Sequence, residues 1–149
     1  MGRELVHGMR VRYAECDPQG IVFNSRYLEY FDVGLTELWR EALGSYDEPM
    51  EAEGVDLVVA EAGVRFRSSL RFDDLFEVRV SLSRLGTTAT TTAFALVRDG
   101  EPIAEGELRH VFVGRSDGRK TEIPARIRNG LAPYLHDATG ARLPACSNR

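Results

Sequence analysis

The sequence predicts an α+β fold: one long helix with a curved antiparallel sheet of five strands wrapped around it. Three observations carry that expectation. Residues 26–43 hold apolar side chains around most of a helical circumference, the mark of a helix enclosed by other structure. Five segments elsewhere are strand-like, three of them alternating apolar and polar residues with the period of a half-buried strand. Turn residues separate the last four closely enough to make antiparallel neighbours. A helix and a sheet with such faces must cover each other.

The first strand segment runs from Leu5 to Tyr13, with Leu5, His7, Met9, Val11 and Tyr13 on one face and Arg10 and Arg12 on the other. Asn24 or Ser25 suits the N-cap of the helix that follows. From Arg26 to Leu43, Tyr27, Leu28, Phe31, Leu35, Leu38, Trp39 and Ala42 fall at helical spacings, and Gly44 is a natural stop. Ser45 to Gly54, with Asp47-Glu48-Pro49, reads as an acidic loop. Val58, Ala60, Ala62, Val64 and Phe66 then alternate against Glu61, Arg65 and Arg67. Phe76, Val78, Val80 and Leu82 do the same against Glu77, Arg79, Ser81 and Ser83. Thr88 to Arg98 is β-prone, and Ile103 to Val113 completes the set. Asp73-Asp74, Gly86-Thr87 and Asp99-Gly100 read as hairpin connections, Asp99-Gly100 most clearly. Pro124 can open a short helix to about Leu135.

A chain of 149 residues is long enough for one domain with its own core. The expected division is a single domain over residues 1–137 and a poorly ordered Ala/Gly/Pro-containing tail over 138–149. The formal net charge is −4 with scattered arginines, which argues against a nucleic-acid partner. No apolar run is long enough for a membrane span, and the start of the chain does not read as a signal peptide. Cys16 and Cys146 do not make a disulfide framework. The expected location is cytoplasmic.

The stretch from Tyr13 to Tyr27, Tyr-Ala-Glu-Cys-Asp-Pro-Gln-Gly-Ile-Val-Phe-Asn-Ser-Arg-Tyr, sets a carboxylate between a strand and a helix start. Asp17 precedes a proline, which holds its backbone extended. Asp17, Pro18 and Gly20 fit the first, second and fourth positions of a type I turn. Such a turn is common by itself, but here it stands beside the unpaired N–H groups and partial positive charge of a helix N-terminus.

The whole stretch resembles the active-site segment of the 4-hydroxybenzoyl-CoA thioesterase family of hotdog-fold proteins. Asp17, Gly20, Val22, Tyr27 and the helix to Leu43 match that pattern in order and spacing, and the element order matches to about residue 135. The resemblance implies a hotdog fold, an acyl-CoA substrate and a homodimer or homotetramer with sites shared between subunits. It implies no cofactor, since CoA is part of the substrate.

Hydrolysis of a thioester needs a nucleophile or an activated water, and donors for the oxyanion. Asp17 can attack the carbonyl to give an anhydride or act as base toward water; both routes fit the residues. The resemblance assigns the oxyanion donor to the backbone N–H of Asn24, helped by Phe23, and makes Gly20, Val22, Phe23, Tyr27 and Asp32 substrate-binding. Asp32 would face the acyl pocket and accept a hydrogen bond from a phenol; its other reading is a surface helix residue. Arg65, Arg67 and Arg84, with Arg115 and Lys120 behind them, are the cations offered to the CoA phosphates. The basic cluster that hydroxybenzoyl-type relatives carry is replaced here by Gly86-Thr87-Thr88.

Strand alternation turns Cys16 away from Asp17, so Cys16 reads as a packed thiol. His7 and His110 lie on apolar strand faces, and His136 near the chain end reads as exposed. No His, Cys or carboxylate cluster has metal-ligand spacing, so no metal is expected. Two further readings stand beside hydroxybenzoyl-CoA hydrolysis: a thioesterase for short or medium aliphatic acyl-CoA, and a non-catalytic acyl-CoA-binding module in which Asp17 only holds the turn. A hotdog dehydratase would need a His near Asp17, and the stretch has none.

Overall fold

A computed structural model describes residues 2–136. The tail expected over 138–149, with Cys146, lies outside the described residues. The elements are β1 (Leu5–Arg10), α1 (Arg26–Leu43), α2 (Asp47–Glu53), β2 (Val55–Phe66), β3 (Leu75–Leu85), β4 (Ala89–Arg98), β5 (Glu101–Gly114) and α3 (Ala125–Leu131). Single 3₁₀ turns stand at Tyr13–Glu15 and Ala132–Tyr134. All strand pairs are antiparallel and the sheet order is β1-β3-β4-β5-β2. The curved sheet holds α1 in its hollow, which is the hotdog architecture.

Why α1 sits so close to the sheet is visible at two glycines. A methyl group at Gly34 would stand 2.8 Å from Val78 Cγ1. One at Gly106 would stand 2.6 Å from Phe31 Cε2. Between them Phe31 stacks flat on Phe94, with centroids 4.6 Å apart. Phe31, Leu35, Leu38 and Trp39 of α1 and Phe76, Val78, Val80, Leu82, Leu96 and Phe112 of the sheet make the buried centre. The Asp99-Gly100 turn has positive φ at both residues, 51° and 77°, as a type I′ hairpin turn requires.

The structure departs from the sequence reading in four places. First, Asp73-Asp74 is not a hairpin. β2 crosses to the far edge and pairs with β5, because β1 and β4 occupy both edges of β3. Residues 67–74 carry the crossing, and Val11 N–H donates to the Asp74 carbonyl (2.9 Å). Second, the apolar alternation of β2 does not mark a buried face. Val58, Ala60, Ala62 and Phe66 are exposed, since β2 is an edge strand, and the register shift between Val59 and Glu61 reverses its phase.

Third, Ser45–Gly54 is not a loop but contains α2. The Ser45 hydroxyl accepts the Glu48 N–H (3.3 Å), two acids stand in the first turn, and Gly54 ends the helix at φ 67°. Fourth, β1 stops before Tyr13. The chain turns there into its 3₁₀ segment, and Tyr13 is 81 % exposed, its ring edge-on to Phe72.

Candidate active site

The Asp17 turn is closed by short hydrogen bonds. The Gly20 N–H donates to the Asp17 carbonyl (2.9 Å), as a type I turn demands, and the Asp17 N–H donates to the Ile21 carbonyl (2.9 Å). Cys16 bridges to Val22, so the turn is the tip of a small hairpin. Gly20 has φ 80°, where a side chain would be strained. Asp17 is half-buried. Its Oδ1 accepts the Gln19 N–H at 2.8 Å, and its Oδ2 has no hydrogen bond among the described residues.

One strand of this hairpin leads into α1. Val22 is buried, and its N–H donates to the Leu70 carbonyl (2.8 Å). Leu70 returns its own N–H to the hydroxyl of Tyr27 (3.3 Å). Tyr27 is thereby enclosed, edge-on to Phe66 at 5.1 Å, and burial raises its phenol above the ordinary value. Arg26 and Tyr27 N–H groups donate back to the carbonyls of Phe23 and Asn24. The N–H groups of Asn24 and Ser25 meet no acceptor among the described residues, and neither side chain caps the helix. The Phe23 N–H, expected as an auxiliary donor, is not available: the Glu15 carbonyl accepts it at 2.9 Å. The Phe23 side chain is exposed.

Glu15 has no place in the sequence reading. It is 3 % exposed, although a carboxylate is rarely buried unless paired. Its Oε1 accepts the Arg12 N–H (2.8 Å) and the Tyr30 hydroxyl (2.8 Å), and its Oε2 accepts the Arg12 guanidinium (2.7 Å). Burial alone would raise this carboxyl. The Arg12 and Tyr30 bonds outweigh burial and hold it below the usual value. Two signals point to it in the sequence: Arg12 three residues earlier, and Tyr30 on the buried face of α1 with a hydroxyl needing a partner.

The remaining expected residues are not all brought together. Asp32 is exposed on α1, eight residues beyond Asn24, or roughly 12 Å along the axis. Burial by its surroundings, then Glu29, raise its carboxyl, and it forms no ion pair among the described residues. Arg65 and Arg67 lie at the Phe66 end of β2, beside Tyr27; Arg67 pairs with Glu105. Arg84 is at the other end of β3 from Leu75, the end where the Asp17 turn is anchored. Cys16 is half-buried against the core, with its Sγ 3.9 Å from the Arg12 carbonyl. His110 is buried with Nδ1 unpartnered, while His136, expected exposed, is half-buried and its Nε2 meets the Arg3 carbonyl (2.9 Å).

Among the described residues no group of three or more His, Cys, Asp or Glu is placed to hold a metal, and no helix is long and apolar enough to cross a membrane. A groove of about 550 Å³ opens elsewhere, along Gly8, Arg10, Leu75, Glu77 and Asp99. It contains neither the Asp17 turn nor the start of α1.

Residues 11–131 match the family model of the thioesterase-like superfamily. A protein of Thermus thermophilus, TT1821, has a solved structure 33% identical to this chain, with a TM-score of 0.81, covering 90% of this chain and 99% of that one. The acyl-acyl carrier protein thioesterase ATL3 of Arabidopsis thaliana is 30% identical over 85% of this chain and 67% of its own length. The acyl-CoA thioester hydrolase YbgC of Escherichia coli is 25% identical over 80% of this chain and 89% of its own. The chain belongs to the thioesterase-like superfamily and is an enzyme of that class.

Proposed function

We propose that this enzyme hydrolyses an acyl-CoA thioester to the free acid and CoA, with Asp17 as nucleophile or general base and the Asn24 N–H as oxyanion donor. The observation that carries the reading is the pairing of two unsatisfied groups. The Asp17 carboxylate is fixed through one oxygen and leaves the other unengaged among the described residues. The N–H groups of Asn24 and Ser25 open α1 with no acceptor among the described residues, where the helix dipole favours developing negative charge. A thioester carbonyl seated on those donors offers its carbon to the free carboxylate oxygen, or to a water that oxygen deprotonates.

The acyl class follows from Asp32. A hydroxylated aryl-CoA of the 4-hydroxybenzoyl type suits a carboxylate that can accept from a phenol. Asp32 stands two helical turns from Asn24, farther than one benzene ring spans, so it meets such a phenol only in a pocket completed by a second copy of the chain. Exposed Val58, Val59, Ala60 and Ala62 on edge strand β2 suit pairing with a second copy as a homodimer or a dimer of dimers. Arg65 and Arg67, which flank Phe66 at the end of β2, are the cations offered to the CoA phosphates. The reading places the enzyme in the cytoplasm, with no cofactor.

The test is Asp17→Asn. Asparagine keeps the acceptor for the Gln19 N–H and so keeps the turn, but it can neither attack nor take a proton near neutral pH. The expected loss in kcat is roughly 100-fold or more, with binding of a non-hydrolysable acyl-CoA analogue preserved. Turnover near wild type would reduce Asp17 to a turn residue. No turnover by the wild-type enzyme over a panel of aryl and aliphatic acyl-CoA, with binding intact, would favour the binding-module reading.

A further inference from the structure

We propose that Glu15 is the positioning residue of this site: its buried carboxylate and its backbone carbonyl together lock the Asp17 turn against the start of α1. The proposal rests on the reading of Asp17 and Asn24 given above. The carboxylate joins three pieces of chain. Arg12, two residues beyond β1, gives it a backbone N–H and two guanidinium bonds. Tyr30, on the buried face of α1 and under two turns from Asn24, gives it a hydroxyl at 2.8 Å. Glu15 itself begins the hairpin that carries Asp17.

The carbonyl of the same residue takes the Phe23 N–H at 2.9 Å. That bond fixes which donors remain at the helix start. With Phe23 satisfied, Asn24 supplies the first N–H left open. One residue therefore ties the carboxylate turn to the helix by its side chain and sets the donor register by its backbone. A buried charge is retained at such a point only where its bonds are complete, and both Glu15 oxygens are bonded. A shift of the turn relative to α1 by an ångström would separate the attacking group from the oxyanion donors, which is costly to rate and not to binding.

The test compares Glu15→Gln, Tyr30→Phe, their double variant and Asp17→Asn, each well below its unfolding temperature. Thiol release gives kcat and KM, a non-hydrolysable acyl-CoA analogue gives binding, and thermal unfolding gives the folded fraction. Glu15→Gln and Tyr30→Phe should each lower kcat by about 10- to 100-fold with KM and analogue binding within about threefold. The double variant should lose no more than the worse single one, because both residues act through one tether. Lower unfolding temperatures with kcat kept would make Glu15 a stabilising residue only and overturn the proposal; so would a loss confined to KM. If Glu15→Gln does not fold, Tyr30→Phe, which leaves the Arg12 pair intact, decides. Inactive Asp17→Asn beside active Glu15 and Tyr30 variants sinks the proposal alone. Active Asp17→Asn sinks the reading of the site, and the proposal with it.

Discussion

Replacing Gly106 with alanine should cost this fold about 3 kcal/mol, the upper part of the range for forcing extra volume into a packed core. The added methyl would lie 2.6 and 3.0 Å from two carbons of the Phe31 ring and 2.1 Å from the Gly63 carbonyl oxygen. Carbon contacts are comfortable at about 3.5–4.0 Å, so the ring must move by about an ångström. It cannot move freely, because one of its faces is stacked on Phe94. The Gly63 oxygen belongs to the β2 backbone, so the β2–β5 ladder must also give. For a chain of this size about 3 kcal/mol lowers the unfolding temperature by roughly 10 °C. Gly63→Ala is the internal control: a methyl there meets nothing within 4 Å. It should stay within about 1 kcal/mol of wild type, with the smaller backbone entropy of alanine in its favour. Thermal and urea unfolding of both variants measure the difference. Equal stabilities would mean that α1 does not rest on β5 at this point, and the account of the core would be wrong.

Two pH effects should be separable. The His110 imidazole is pushed below its ordinary 6.5 by burial, so stability is whole above 6.5 and falls below it, where only the unfolded chain takes the proton; His110→Gln should flatten the urea midpoint between pH 7 and 5.5. The Glu15 carboxyl is held below its ordinary 4.5, so its contribution is whole above 4.5 and is lost as pH falls through the folded value. That second loss should survive in the His110 variant, and its absence would show the Arg12–Glu15–Tyr30 cluster to be unformed. Cys16→Ser should leave turnover nearly unchanged while costing about 1 kcal/mol for a hydroxyl against the core; a dead but folded enzyme would move the nucleophile to the thiol. Asp32→Ala should weaken hydroxybenzoyl-CoA more than benzoyl-CoA by about 1–3 kcal/mol, and equal effects would leave Asp32 a surface residue.

How much of this was readable in advance depends on how local each signal is. Helix α1 was legible to its ends, because its apolar arc and Gly44 are properties of consecutive residues. The Asp17 turn was legible for the same reason: Asp, Pro and Gly act on their own backbone. Strand β2 was misread, since edge and centre strands share one alternation until pairing is known, and the shift after Val59 changes the phase midway. Helix α2 was not legible although Ser45 and Glu48 stand three apart, because its acidic composition and Pro49 are equally those of a loop. Glu15 was missed because Tyr30, which helps enclose it, is distant in sequence, and Arg12 three residues earlier marks an ion pair without marking its burial.

The strand order carries a consequence for how the chain assembles. β3, β4 and β5 are joined by short turns, one of them with both residues already in the left-handed region. Their ladders close small loops and lose little chain entropy. β2 is another matter: Val55 must find Gly114, with β3 and β4 lying between them in sequence. β1 must likewise wait for β3, with all of α1 in between. The meander is therefore the natural nucleus, and the two outer strands arrive late, at the cost that distant pairing imposes on folding rate. The Asp17 turn follows β1, so the Asp17 carboxylate is among the last groups to reach its place.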